Sequence, residues 1–133
     1  MEICKVFRDF SAGNAMTITL KTLPEATEQE VFDQVVTHLL TQGKRSMSLR
    51  WSGCAYRGQN HLKCAAGCLI SDEEYSSDME GHSWVSLLDK KQVPQNHYVL
   101  ITHLQHIHDG IQPEDWKREL EVLATEFKLR MPT

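Results

Sequence analysis

Three of the four cysteines fall within one short central stretch, together with a histidine. Cys54, His61, Cys64 and Cys68 offer three thiolates and one imidazole, the soft tetrahedral ligand set that zinc prefers. Cys64 and Cys68, however, have three residues between them rather than the two of a typical zinc knuckle, and alanines follow Cys64. In such a setting cysteine also behaves as a small buried hydrophobe. The sequence thus leaves open a buried thiol cluster without a cofactor and a zinc-stabilised module.

The same thiols could serve as nucleophiles. Cys64 or Cys68 could pair with His61 or His82 as a base, and a helix start near Cys64 would lower the pKa of its thiol. Alanine-rich surroundings favour burial instead, which raises the pKa of a thiol and makes it inert. We therefore favour a non-enzymatic protein and leave catalysis open.

Several histidines fall on one predicted helix later in the chain, and they are His97, His103, His106 and His108. His103 and His106 are close enough in sequence to chelate one ion, but only Asp109 would add a carboxylate. We interpret this segment as a partly solvated helix.

A polar constellation is the most suggestive candidate for a ligand- or partner-binding site. Its members are Lys44, Arg45, Tyr56, Arg57, Lys63, Asp72, Glu73 and Glu80. Cationic side chains beside an exposed aromatic ring would suit a phosphate, a nucleotide or an acidic protein surface. The alternative is that these opposite charges pair with each other across the surface, which would add little stability.

The central stretch also carries a set of short motifs: Gln42-Gly43-Lys44-Arg45-Ser46, Cys54 with Tyr56-Arg57-Gly58, Lys63-Cys64-Ala65, Gly67-Cys68-Leu69-Ile70, Asp72-Glu73-Glu74-Tyr75 and Met79-Glu80-Gly81. With these motifs the chain resembles a family of small, largely uncharacterised proteins encoded by tailed bacteriophages and prophages, over roughly residues 27–127. The resemblance gives no reaction, but it implies an accessory role in managing the host. One departure is Asn60-His61-Leu62, where a glycine would be expected, and it leaves the placing of Lys63 relative to Arg57 open.

Composition narrows the class of protein. The 133 residues suit one domain, and 41% hydrophobic with 24% charged residues is a globular balance. A net charge of −4 without a long basic block argues against a dedicated nucleic-acid binder. No apolar run is long enough to cross a bilayer, and the first residues lack the order of a secretory signal. We expect a cytoplasmic protein with reduced thiols, without a membrane partner, as a monomer or a homodimer.

Apolar periodicity and capping signals predict the secondary-structure elements that must hold these residues. Helices are predicted at 28–42, 96–109 and 113–129, with a capping box from Thr27 to Glu30 and Gly43 as the first C-cap. Residues 46–63 read as a small β-hairpin unit. The sequence therefore predicts a mostly helical α+β domain over 24–133, preceded by an extension at 1–23 that could form a β-hairpin.

Three functions follow as hypotheses. The first is a non-enzymatic interaction protein that binds a host or defence component, in host takeover or counter-defence. The second is a binder or enzyme acting on a nucleotide-like anion, with Arg45, Arg57 and Lys63 as its cradle and Tyr56 as a stacking platform. The third is the zinc-stabilised module.

Overall fold

The computed structural model describes residues 17–132, and these form four α-helices joined by loops and 3₁₀ turns. The α-helices are α1 (Glu28–Gln42), α2 (Trp84–Asp89), α3 (Tyr98–Gly110) and α4 (Trp116–Phe127). The 3₁₀ turns are Leu23–Glu25, Gln59–His61, Ala66–Leu69, Ser77–Met79 and Pro113–Asp115. No helix in this part of the chain is both long and apolar enough to span a membrane.

Helix α3 lies at the centre of the packing and contacts α1, α2, α4 and the turn Ala66–Leu69. Its buried side chains recur at spacings of three and four residues, and side chains at these spacings lie on one face of a helix. They are Leu100, Ile101, Leu104, Ile107 and His108. The apolar faces of α1 and α4 complete the core, with Phe32 and Trp116 among its largest fully buried side chains.

The predicted helices are confirmed, with small changes at their ends. α1 spans the predicted residues and carries the predicted capping box between Thr27 and Glu30. Gly43 ends α1 in the left-handed region, with φ of 69°, a conformation that glycine adopts without strain. The last predicted helix begins as a 3₁₀ turn and continues as α4.

The predicted α+β class is wrong, because the described residues contain no β-strand. Residues 46–63 form a folded loop whose β character is one isolated bridge between Met47 and Cys54. Several backbone carbonyl and N–H groups that would extend a hairpin ladder instead form hydrogen bonds with side chains. Ser46 Oγ donates to the Ala55 carbonyl, and the Tyr56 and Arg57 amides donate to the Glu80 carboxylate. The ladder therefore stops after one bridge.

The hairpin predicted for the extension at 1–23 rests mainly on residues 1–16, which lie outside the described part of the chain. Residues 17–22 form no strand. They make a turn in which the Leu23 amide donates to the Thr19 carbonyl at 2.8 Å. The Glu74 carboxylate accepts the amides of Leu20 and Lys21, and so fixes this segment against the folded domain.

Candidate functional site

Arg57, from the predicted polar constellation, is bonded to the protein's own carbonyl groups. Its guanidinium donates to the carbonyls of Gly67 and Ile70 at 3.0 and 2.7 Å, and it pairs with Asp72 at 3.1 Å. The same group lies 4.9 Å from the centre of the Tyr75 ring. Most of the hydrogen-bonding capacity of the Arg57 side chain is therefore used to hold the segment at residues 67–72, which contains Cys68.

Glu80 and Tyr56 are also joined to the loop backbone. The Glu80 carboxylate accepts hydrogen bonds from the Tyr56 and Arg57 amides, both at 3.0 Å, and from the Tyr75 hydroxyl at 2.6 Å. The Tyr56 ring is buried, and its hydroxyl donates to the His82 carbonyl at 2.7 Å. The Tyr56 ring thus offers no exposed face on which a nucleobase could stack.

Arg45 belongs to a different part of the molecule. Its guanidinium donates to the carbonyls of His108 and Ile111, at 3.1 and 2.7 Å, where α3 ends. A cation at this end is favoured by the helix dipole and satisfies carbonyls that lack a helical partner. The neighbouring Lys44 is exposed. The structure therefore separates Lys44 and Arg45 from the network around Arg57.

The remaining predicted site residues lie at the edges of these networks. The backbone of Lys63 bonds to α1, because its amide donates to Gln42 Oε1 and its carbonyl accepts from His38 Nε2. Asp72 and Glu73 are exposed. The assignment of these residues to a ligand or partner stays a prediction.

The predicted zinc ligands do not converge among residues 17–132. Cys64 is buried, and its Sγ accepts a hydrogen bond from the Gly67 amide at 3.3 Å, while Cys68 Sγ donates to the Ala65 carbonyl. Burial raises the pKa of the Cys68 thiol to about 12 and that of Cys64 still further. Burial therefore disfavours the thiolate of both residues, which does not suit nucleophilic attack.

A different cluster forms where the folded loop at residues 46–63, here called the central loop, meets the end of α3. Possible ligand atoms of Cys54, His108 and Asp109 lie within 4.8 Å of one another, and within the described chain no other group of this kind has three or more members. His108 is fully buried, and its Nδ1 lies 2.7 Å from Asp109 Oδ1. Its other nitrogen, Nε2, accepts the Ser46 amide at 3.0 Å.

These contacts fix the state of the imidazole. A backbone N–H can only donate, so His108 Nε2 carries no proton and Nδ1 carries the proton that is donated to Asp109. Ligation of a metal through Nδ1 would require that proton to leave, or to move to Nε2 and break the bond to Ser46. The set is therefore a poor fit to a zinc centre.

Asp109 is the ionised member of this cluster. The Asp109 side chain is 43% exposed. Its partial burial acts to raise the pKa of the carboxyl, but hydrogen bonds from His108, Cys54 and Gln105 outweigh this effect and hold that pKa below its ordinary value. The pKa of the Cys54 thiol rises to about 12, because burial and the neighbouring Asp109 charge both disfavour the thiolate. A carboxylate and a protonated thiol thus lie side by side.

The sequence contains a signal that His108 is buried, although its side chain is polar. His108 follows Leu104 by four positions, so it continues the apolar stripe of α3. Its burial could be predicted from that spacing. Its meeting with Cys54 could not, because this contact depends on the path of an irregular loop.

The loop at 47–53 presents large apolar side chains to solvent. Leu49 is 78% exposed, and Trp51 is 46% exposed. The base of the loop is closed by the Met47–Cys54 bridge and by a hydrogen bond from the Ser48 amide to the Gly53 carbonyl at 2.8 Å. The Trp51 ring lies over Gly53, where an added Cβ would fall 1.7 Å from a ring atom. This loop is thus a defined surface feature with an apolar tip.

The chain matches no known family model, no curated protein and no solved structure. The resemblance to tailed-phage proteins therefore stays a prediction.

Proposed function

We propose that this protein is a non-enzymatic interaction protein and that the loop at 47–53 is its main contact with a partner protein. The observation that carries the proposal is the exposure of Leu49 and Trp51 on either side of Arg50, within one short loop. Tryptophan and arginine are enriched among the residues that dominate binding energy at protein interfaces. Because the loop is closed at its base, its backbone would also lose little conformational freedom on binding.

The charges near the loop suggest the chemistry of the partner. Arg50 and Lys44 are exposed, and neither makes an ion pair with another residue of the described chain. A complementary surface would hold an apolar pocket for Leu49 with carboxylates at its rim. The resemblance to phage proteins supports a host or defence protein in the cytoplasm as the source of that surface.

The alternative of a nucleotide-like anion has less support. Arg45 and Arg57 donate to backbone carbonyls of this chain, and the Tyr56 ring is buried. A phosphate would have to displace these contacts. The protonated thiols of Cys54, Cys64 and Cys68 likewise give no support to a thiol-dependent reaction.

The proposal is tested with the double variant Leu49→Ser, Arg50→Ala as bait in host lysate, beside the wild type and Val122→Ser. Val122 is 49% exposed on α4, so its variant controls for the loss of an exposed apolar group elsewhere. We expect a protein retained by the wild type and by Val122→Ser but lost with the double variant. Its binary affinity, measured after purification, should fall at least about tenfold with the double variant.

Two results would contradict the proposal. One is a partner whose affinity does not change in the double variant. The other is a shift from dimer to monomer by sedimentation in the double variant, because the loop would then contact a second copy of this chain.

A further inference from the structure

Both ends of the loop at 47–53 are fastened to two adjacent residues near the end of α3. Ser46 precedes the loop, and its amide donates to His108 Nε2 at 3.0 Å. Cys54 follows the loop, and its thiol donates to the Asp109 carboxylate. The two residues of α3 are themselves joined, because His108 Nδ1 donates to Asp109 Oδ1 at 2.7 Å. These four residues form a clasp at the base of the loop.

The bond between Ser46 and His108 requires a neutral imidazole. Nε2 must keep its lone pair free in order to accept the Ser46 N–H. A protonated imidazole donates from both nitrogens, so Nε2–H would point at the Ser46 N–H in a site where His108 is fully buried. Two opposed donors without an acceptor cost free energy in such a site. Protonation of His108 and closure of the clasp therefore exclude each other.

The surroundings of His108 suit the charged ring once Ser46 has moved away. The Asp109 carboxylate already accepts from Nδ1 and is 43% exposed, so it connects the buried ring to solvent and forms an ion pair with an imidazolium. The Trp116 ring stacks on the imidazole with centroids 5.6 Å apart, and an aromatic face attracts a cation. Because an open loop also gives Nε2–H access to water, the charged ring favours the open state.

The other charged and titratable groups around the clasp differ in their effects. The Arg45 guanidinium donates to the His108 carbonyl, and a charge on His108 acts on His38 of α1, so both of these groups oppose protonation of His108. The Cys54 thiol stays neutral in acid, since its pKa is raised to about 12. The pKa of Asp109 is held below its ordinary value, so its carboxylate stays ionised in mild acid. Histidine is the residue type that changes charge between about pH 5 and 8, so the imidazole sets the charge of the clasp in that range.

We propose that the clasp is a pH-sensitive switch, which releases the loop at 47–53 from α3 when His108 is protonated. In the closed state the neutral imidazole holds Ser46, and the loop presents its apolar tip from a fixed base. In the open state the imidazolium pairs with Asp109, and the base of the loop is free. The inference rests on the proposed function for its consequence, that acid weakens partner binding, whereas the release is a property of this chain alone.

The experiment follows the free ¹⁵N-labelled protein by NMR between about pH 7.5 and pH 5. The imidazole nitrogen shifts give the tautomer and the charge of His108, and hydrogen exchange gives the protection of the Ser46 amide. We expect His108 to carry its proton on Nδ1 at the upper pH and to gain a second proton in acid. In parallel, the protection of the Ser46 amide should fall at least about tenfold relative to the amide of Val35 within α1.

Two results would overturn the proposal. One is a His108 ring that stays neutral throughout this pH range. The other is a fully protonated His108 ring together with unchanged protection of the Ser46 amide, because the clasp would then tolerate the charge.

Variants connect the release to the charge of the imidazole. His108→Gln can place an amide oxygen near the position of Nε2 and does not titrate, so its Ser46 amide should stay protected at both pH values. Asp109→Asn keeps an acceptor oxygen for Nδ1 but removes the charge that pairs with an imidazolium, so release should move to lower pH. Asp89→Asn is the matched control, because Asp89 is exposed at the end of α2, and its release should follow the wild type.

An acid-induced loss of Ser46 protection that is as large in His108→Gln as in the wild type would also refute the switch. If His108→Gln does not fold, the shift between Asp109→Asn and Asp89→Asn decides, and equal release in these two variants contradicts the proposal. None of these measurements needs a partner, so failure of the switch and failure of the partner-binding proposal are distinguishable.

Discussion

Glu80 shows how a charged residue can serve the backbone of a loop rather than a ligand. Its carboxylate accepts two adjacent main-chain amides and a tyrosine hydroxyl, which the loop would otherwise leave without partners. Glu74 does the same for Leu20, Lys21 and Ser71. A carboxylate with two acceptor oxygens can satisfy several donors at once.

Replacing Glu80 by glutamine tests this role. Glutamine keeps one acceptor oxygen and places an NH₂ group against donors, so we expect a loss of about 1–3 kcal/mol in the free energy of unfolding. Urea denaturation measures the loss. Glu73→Gln is the matched control, because Glu73 is exposed in the same acidic stretch. Equal midpoints for the two variants would show that Glu80 does not hold the loop.

The residue types in the polar constellation were visible in the sequence, but their partners were not. Charge predicts exposure on average, so Arg57 and Glu80 were placed on a binding surface. The structure instead pairs Arg57 with the carbonyls of Gly67 and Ile70 and Glu80 with amides far along the chain. Such pairings depend on how irregular segments meet, and local periodicity carries no information about that.

At the scale of elements, the contact between the turn Ala66–Leu69 and the central loop sets the shape of the region. At Gly67, an added Cβ would lie 2.5 Å from the Tyr56 carbonyl oxygen, a backbone atom that cannot rotate away. The small side chains of Ala65, Ala66 and Gly67 allow this close approach of the two backbones.

Gly67→Ala should therefore destabilise the protein by about 1–3 kcal/mol, the usual range for overpacking. Gly110→Ala is the matched control with the opposite sign. Nothing lies within 4 Å of a Cβ added at Gly110, which is within α3. Alanine there should stabilise the protein by up to about 1 kcal/mol through helix propensity. Thermal and urea unfolding measure both changes, and a neutral Gly67→Ala would show that the two segments can separate without cost.

The helices with long apolar faces were predictable, whereas the residues at which they begin were less so. α1 and α4 carry unbroken apolar faces, so periodicity located them. The start of α3 was placed at Asn96, whereas the helix begins after His97, which adopts a left-handed conformation with φ of 65°. His97 Nε2 lies 2.7 Å from the Ala26 carbonyl, a tertiary contact that outweighs the capping preference of asparagine.

At the scale of the whole molecule, stability should depend on pH through His38, a half-buried histidine. Burial lowers the pKa of His38 from its ordinary value of 6.5, and this outweighs the opposing effect of its hydrogen bond to the Lys63 carbonyl. The folded state therefore prefers the neutral ring, and the unfolded chain binds the proton more readily. This contribution to stability is complete above about pH 6.5 and is lost as the pH falls through the folded pKa.

We expect the free energy of unfolding to fall between about pH 7 and pH 5, before the carboxyl groups titrate. His38→Gln should flatten this slope, because glutamine does not titrate. Urea midpoints at several pH values give the slope. A wild-type stability that is constant or rises toward pH 5 would contradict the assignment.

Cys64 gives the protein a built-in reporter of its own opening. Its side chain is 2% exposed and its thiol stays protonated, so a thiol reagent cannot reach or react with it in the closed state. Cys64 can therefore be modified only after the segment around Gly67 separates from Tyr56. The labelling rate of Cys64, compared with the rate of global unfolding, would tell whether the central loop opens by itself or only with the helices around it.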